Sequence, residues 1–394
     1  MSDLSRRNFL LGSASAAAAM GAAGAEEDHP RPPSDLVNQP DPLLDGKELP
    51  TFRFALEKSE GKVIGGSYGK EATVKQLPIS KGVAGVSMLL EPGAMRELHW
   101  HATAAEWAFV IEGRCRTTVI DPEGRAETND FDPGDIWYFP RGHGHSIQCL
   151  GHKPCHFILV FDNGYFSEFG TFSVTDWIGH TPPRLLAKNL GLSAEAFDKF
   201  PKSEVYFARG PVPPETIQPE HRQALHAPPD THKFRMLSQA PHSLHTGGRE
   251  WRVGQDRFPI SKTVTGVILD LNPGGLRELH WHPNADEWQY VVSGRVRVTL
   301  FGAHGRWRQE TLDSGDVGYI PTGFGHSIEN DSDDQPARVL IAFNTGHYQA
   351  IDLSLWLAAN PDYLLAANFG RPESVIEKLP RGRVFIAGKD GPAK

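Results

Sequence analysis

The chain carries no surplus of positive charge: 40 Lys and Arg stand against 48 Asp and Glu, a formal net charge of −8. No stretch supplies a basic face, which excludes a nucleic-acid partner held by its phosphates, so any acidic substrate has to be met by cations placed locally. Cysteine is scarce and odd in number, at three. Cys149 and Cys155 flank a Gly-Pro turn, where they either meet across a hairpin or serve with Cys115 as small core residues. Cys149 is no partner for a metal bound at His145, because four residues along a strand span roughly 13 Å. Long apolar runs are missing too: Leu10 to Ala25 is alanine-rich and short of a comfortable membrane span. With 39% apolar residues, 40 Gly and 31 Pro, the sequence reads as short strands and many turns, in a length that suits two domains of about 150 residues each.

What is present begins with Ser5-Arg6-Arg7-Asn8-Phe9-Leu10-Leu11, followed by the alanine-rich run, Ala23-Gly24-Ala25 and then Glu26-Glu27-Asp28. This resembles a twin-arginine export signal, with cleavage after residue 25 and a periplasmic or secreted mature protein free of the membrane. Residues 26–50, rich in Pro and Asp, read as an arm or linker.

The rest of the chain is a repeat. His99, His101, Glu106 and His145 recur as His280, His282, Glu287 and His326, all 181 residues on, and Gly113, Gly134, Pro140 and Gly142 keep that offset to Gly294, Gly315, Pro321 and Gly323. Residues two apart in a strand face one way, so each His-x-His pair looks into a barrel, a glutamate follows from the next strand, and a Pro-Gly turn delivers the third histidine. A lone His-x-His is commonly a surface or core pair. Two complete sets with a carboxylate are metal centres, and three imidazoles with one carboxylate leave two positions of an octahedral divalent ion open. The repeat sets domains at 51–210 and 233–394, joined by a proline-rich linker at 211–232.

Both motif pairs resemble the signatures of the cupin superfamily, and Arg96-Glu-Leu-His-Trp-His101 with Arg277-Glu-Leu-His-Trp-His282 resembles the bicupin oxalate decarboxylases, from about Pro50 to Gly388. One position departs: Cys149 stands where the second copy keeps Asn330. The resemblance implies an all-β fold of tandem double-stranded β-helix (jelly-roll-like) barrels with small helical appendages. It also implies Mn2+ in each domain, dioxygen as co-catalyst, decarboxylation of oxalate to formate and CO2 at the N-terminal site, and subunits interlocked as trimers or hexamers. Export of an already folded chain suits this metal, since copper and zinc outcompete manganese wherever they are free.

Between Phe161 and Trp177 the first copy holds three residues more than the second does between Phe343 and Trp356. They fall around Ser167-Glu168-Phe169-Gly170, which aligns with the active-site lid of the oxalate decarboxylases; Glu168 takes the place of the general acid, and Phe169-Gly170 departs from the usual polar lid. Arg96 and Arg277, three residues before the first histidine of each copy, suit bidentate recognition of a carboxylate. Glu329 resembles a glutamate the family sets near the second metal. Trp100 and Trp281 lie between ligands and face the opposite way, toward an interface or as an electron-transfer pair. An oxalate oxidase would share every ligand and lack only the lid acid. A dioxygenase for aromatic substrates needs a larger apolar pocket, and a storage-type bicupin typically loses ligands that survive here.

Overall fold

Each copy folds into two facing antiparallel sheets. The computed structural model describes Leu43, residues 46–217 and residues 227–392; the segment 1–25 that resembles an export signal, most of the segment 26–50 and the middle of the 211–232 linker lie outside the described residues. In the first copy a seven-stranded sheet runs Lys233–Phe234, Ile136–Phe139, Glu106–Glu112, Cys155–Phe161, Ala84–Leu90, Ser67–Ala72, Lys62–Ile64. It faces a sheet ordered Phe172–Ser173, Ala94–Trp100, Gly144–Cys149, Cys115–Ile120, Ala126–Phe131. The second copy repeats both orders, starting from Arg53–Phe54 and ending the smaller sheet at Ile351–Asp352. These are the two expected β-barrels.

The central strands of the two seven-stranded sheets read as almost continuous apolar runs because both of their faces are covered. Along Cys155–Phe161, the side chains of Phe157, Leu159 and Phe161 fill the first barrel, while the alternate residues Ile158 and Val160 join the core of the second copy. The smaller sheets alternate, as in Arg295–Phe301, where only Val296, Val298 and Leu300 are buried. That period of two is the mark of a sheet with one face in water.

An edge strand also crosses between the copies. Arg53–Phe54 pairs with Val317–Gly318 of the second barrel, and Lys233–Phe234 pairs with Ile136–Trp137 of the first. The domain limits at 51 and 233 follow the repeat in sequence, but each barrel borrows the first strand of the other.

The helical appendage that follows each barrel is divided. Pro183–Leu190 stops at Gly191, whose left-handed φ of 70° closes the helix, and a short turn at Ala194–Phe197 follows. Leu353–Ala358 and Asp362–Phe369 are separate helices, because the residue before Pro361 is driven out of the helical region.

Candidate metal centres and lid

Strand Ala94–Trp100 turns His99 inward, with His101 just past its end, and strand Glu106–Glu112 opens on Glu106. His145 stands directly opposite His99, and His326 opposite His280. Backbone carbonyls fix the rings: Nδ1–H of His99 donates to Glu97 O at 2.6 Å and that of His145 to His143 O at 2.9 Å. In the second copy the acceptors are Glu278 O for His280, Gln349 O for His282 and Phe324 O for His326. Such bonds leave Nε2 free to coordinate. In the first copy Nε2 of His99, His101 and His145 and Oε2 of Glu106 are buried without a hydrogen-bond partner. In each copy all four candidate ligand atoms lie within 4.8 Å of one another. Burial first, then the neighbouring arginine, holds His99 and His280 well below the ordinary imidazole range, which keeps the neutral, metal-binding form. The residues therefore fit two divalent ions, one per barrel.

The ligand carboxylates are oriented differently in the two copies. Trp137 Nε1 donates to Glu106 Oε1 at 2.7 Å, whereas Gln289 Nε2 donates to Glu287 Oε1 at 2.6 Å. Trp137 is cross-strand partner to Ala108, and Gln289 to Gly318, so the donor has moved to the other strand and the small residue with it.

Arg96 enters the site through a β-bulge. Residues three apart on a regular strand face opposite ways, but the pairing jumps from His145 opposite His99 to Ile147 opposite Arg96, three residues against two. The extra residue restores Arg96 to the face of His99, and Arg277 is re-aimed in the same way. Glu329, also three residues from a ligand, lies on regular pairing with strand Arg295–Phe301. It consequently points outward, 42% exposed and 3.5 Å from Arg297, so the structure does not bring Glu329 to the second centre as the resemblance implied.

Each arginine lies on an aromatic ring, Arg96 4.0 Å above Tyr206 and Arg277 4.1 Å above Phe385. Tyr206 and Phe385 have φ of 63° and 62°, a left-handed backbone that must be held from outside. The buried carboxylates of Glu97 and Glu278 do this, accepting the N–H of Tyr206 and of Phe385 at 2.6 Å. Neither glutamate was singled out from sequence, although both stand in the repeated Arg-Glu-Leu-His motif.

The copies differ most in what neutralises the arginine. Arg96 Nε donates to Glu168 Oε1 at 2.7 Å and Arg96 Nη2 to Thr171 Oγ1 at 2.5 Å. Glu168 belongs to the short turn Glu168–Gly170 on the connecting loop, is fully buried, and sets Oε2 3.2 Å from His101 Nε2. Burial alone would raise its pKa, but Arg96 and His101 together bring it down to about 2. Arg277 instead pairs at 2.8 Å with Asp352, which Arg383 also holds and which begins helix Leu353–Ala358. The cavity at the second centre is only about 10 Å³, lined by Arg277, His280, His282, Glu287, Tyr348 and Glu250 among others, room for one water. Glu250 is buried, with Oε1 3.5 Å from Arg252 Nη1 and outside any hydrogen bond, a residue the sequence reading passed over.

Trp100 packs on the far side of its strand, against Phe172 at 5.4 Å and Trp177 at 5.6 Å; Trp281 meets Trp356 at 5.4 Å. The three cysteines are buried free thiols, with Cys149 Sγ donating to Lys153 O, so the hairpin disulfide is not formed.

Residues 55–198 and 234–376 each match the cupin family. Oxalate decarboxylase of Bacillus subtilis is 38% identical over 88% of this chain and 89% of its own length, and a probable oxalate decarboxylase of Arthroderma benhamiae is 32% identical over 90% and 87%. Among solved structures, the B. subtilis enzyme at pH 4.6 covers 86% of this chain and 88% of its own with a TM-score of 0.81 at 38% identity. A further structure of that enzyme, with a TM-score of 0.80, 37% identity and coverage of 86% and 89%, concerns its Mn(II) centres.

Proposed function

The chain belongs to the cupin family as a bicupin, and from that premise, with relatives that are oxalate decarboxylases along most of its length, we propose that it cleaves oxalate to formate and CO2 with manganese in both barrels. The observation that carries the assignment of the working site is Glu168, buried against Arg96 and His101 on a loop three residues longer than its counterpart in the second copy. His99, His101, Glu106 and His145 hold the first manganese, and His280, His282, Glu287 and His326 the second. The bound metal supplies a Lewis-acid anchor for a small dianion and, with dioxygen as co-catalyst, one-electron chemistry.

The protein's own groups do the rest. When the lid opens, Arg96 exchanges the carboxylate of Glu168 for one of oxalate, with the same guanidinium geometry. Glu168 is ionised at rest, so it first accepts the proton of mono-protonated oxalate. After CO2 leaves, it returns that proton to carbon, and formate results. Without that proton the one-carbon fragment is oxidised to a second CO2 while dioxygen is reduced to hydrogen peroxide. The second centre, with its arginine tied to Asp352 rather than to a carboxylate on a lid, has a supporting role.

Two further readings rest on particular residues. Residues 5–11 and 23–25 support twin-arginine export to the periplasm or medium, checked by fractionating cells that express the chain with Arg6→Lys and Arg7→Lys. Exposed Leu98, Phe172 and Trp177, matched on the second copy by Leu279, Ile351 and Trp356, support a homo-oligomer, trimer or hexamer, checked by light scattering.

The deciding assay gives manganese-loaded protein oxalate in air at mildly acidic pH and measures formate and peroxide together, beside Glu168→Ala. Formate near one per oxalate, lost in the variant, is the expected result. Peroxide without formate makes the chain an oxalate oxidase, a reading that Phe169-Gly170 in the lid keeps open, and neither product removes oxalate as the substrate.

A further inference from the structure

Behind the lid lies a second carboxylate that the reaction does not use. Glu71, on strand Ser67–Ala72, is 6% exposed. The hydroxyl of Ser167 donates to both of its oxygens, at 2.8 and 3.1 Å. Ser167 directly precedes Glu168, so this bond grips the lid one residue from its acid. On the other side of Glu168, Phe169 meets the ring of Tyr206 edge-on at 5.9 Å. Gly69 makes room for that contact: a Cβ there would lie 2.8 Å from the Tyr206 hydroxyl and 3.5 Å from the Phe169 ring. Residues 69 and 71 share one face of their strand, which offers the lid an acceptor and a gap side by side.

The second copy is the internal control. Glu71 pairs with Val86 and Arg252 with Val267; Gly69 pairs with Met88 and Glu250 with Leu269. Each partner is 181 residues from its counterpart, so Arg252 and Glu250 fill the places of Glu71 and Gly69. There a cation, lying over the ring of Tyr348 at 4.2 Å, takes the acceptor's place, the gap is filled by a side chain, and the loop is three residues shorter. Acceptor, gap and lid occur together or not at all.

We propose that Glu71 is a positioning residue that latches the lid through Ser167, and so sets the fraction of time Glu168 spends closed over the first metal centre. This rests on the oxalate reading for its consequence, since an open lid leaves the one-carbon fragment unprotonated and diverts turnover from formate to peroxide. It does not rest on it for the latch itself. A hydroxyl-to-carboxylate bond of this kind shifts a closed-to-open ratio by about tenfold to a hundredfold.

The test uses the manganese-loaded full chain with Glu71→Leu, Glu71→Gln, Ser167→Ala and the double variant Glu71→Leu/Ser167→Ala. Amide hydrogen exchange across residues 166–172 is followed without oxalate, and formate, peroxide, kcat and KM with it. Glu71→Leu and Ser167→Ala should each raise lid exchange by about tenfold or more, leave strand Glu106–Glu112 unchanged and raise the peroxide share. Glu71→Gln, which keeps an acceptor oxygen, should restore much of both, and the double variant should exceed neither single one. Lid exchange and product ratio unchanged in Glu71→Leu would overturn the latch, as would exchange that rises equally in lid and barrel. Faster lid exchange in variants of a protein that makes neither product would uphold the latch and remove the oxalate reading instead.

Discussion

The indole of Trp288, on the second barrel, fills the space that a side chain at Gly85 of the first would need, and Trp107 and Gly266 repeat the relationship in reverse. Both indoles are fully buried. The barrels are thus keyed together by two reciprocal knobs, each seated on a bare strand backbone. Gly85→Ala or Gly266→Ala should each cost about 1–3 kcal/mol, the usual penalty of overpacking a filled core. Thermal unfolding would register this as a lower Tm, with manganese content unchanged because neither glycine lies at a metal centre. An unaltered Tm would mean the barrels separate enough to admit the methyl group.

Trp137 and Gln289 are the outer groups that aim the two ligand glutamates, and they differ in kind although the ligands do not. Removing the indole N–H with Trp137→Phe should weaken manganese at the first centre by about 10- to 100-fold, as loss of such outer partners commonly does, and leave the second alone. Gln289→Leu should do the converse. Competition titrations with a chelator would separate the two centres, and equal losses at both in either variant would refute the assignment.

Both barrels and all eight ligands were legible in the sequence, because a strand's period of two and a constant offset of 181 are properties of the chain alone. Arg96 and Glu329 mark where that legibility ends. Each stands three residues from a ligand; one is inside and one outside, and the difference is a bulge, which depends on the partner strand. Glu71, Glu97 and Glu250 were invisible for a related reason, since what surrounds them is brought from distant parts of the chain only when the barrel folds. The exchange of Arg53–Phe54 and Lys233–Phe234 between barrels likewise has no local sign, only the packing of one sheet on another.

Glu57 ties this exchange to pH. It accepts from the Tyr290 hydroxyl at 3.1 Å and sits 3.6 Å from His156 of the other barrel. Burial would raise its pKa, but the neighbouring His156 and Ser87 side chains and the ammonium of Lys70 lower it from 4.5 to about 2. A carboxylate depressed on folding contributes stability that is complete above its unfolded value and is lost as pH falls toward its folded one. Tm should therefore drop between about pH 4.5 and pH 2, with Glu127, also lowered to about 2, adding to the slope. Glu57→Gln should be less stable at neutral pH and show a shallower drop; a curve parallel to that of the unaltered protein would exclude Glu57 as a contributor.

Arg96 and Arg277 occupy equivalent places, yet their removal should have opposite signatures. The partner of Arg277, Asp352, begins a helix and cannot leave, so Arg277→Ala strands a buried carboxylate that only Arg383 still meets. Breaking such a pair from one side costs about 3–5 kcal/mol, and the variant should unfold at markedly lower temperature while the folded fraction keeps most of its turnover. The partner of Arg96 is on the lid and can swing Glu168 out to water, so Arg96→Ala should cost little stability. Turnover of oxalate should instead fall by about 10²- to 10³-fold, the scale on which losing one preorganised charge partner in a reacting site acts. Denaturation midpoints and kcat/KM measured on both variants would decide the matter. Equal losses of stability would place the lid among the fixed elements of the barrel, and equal losses of turnover would make the second centre a working site.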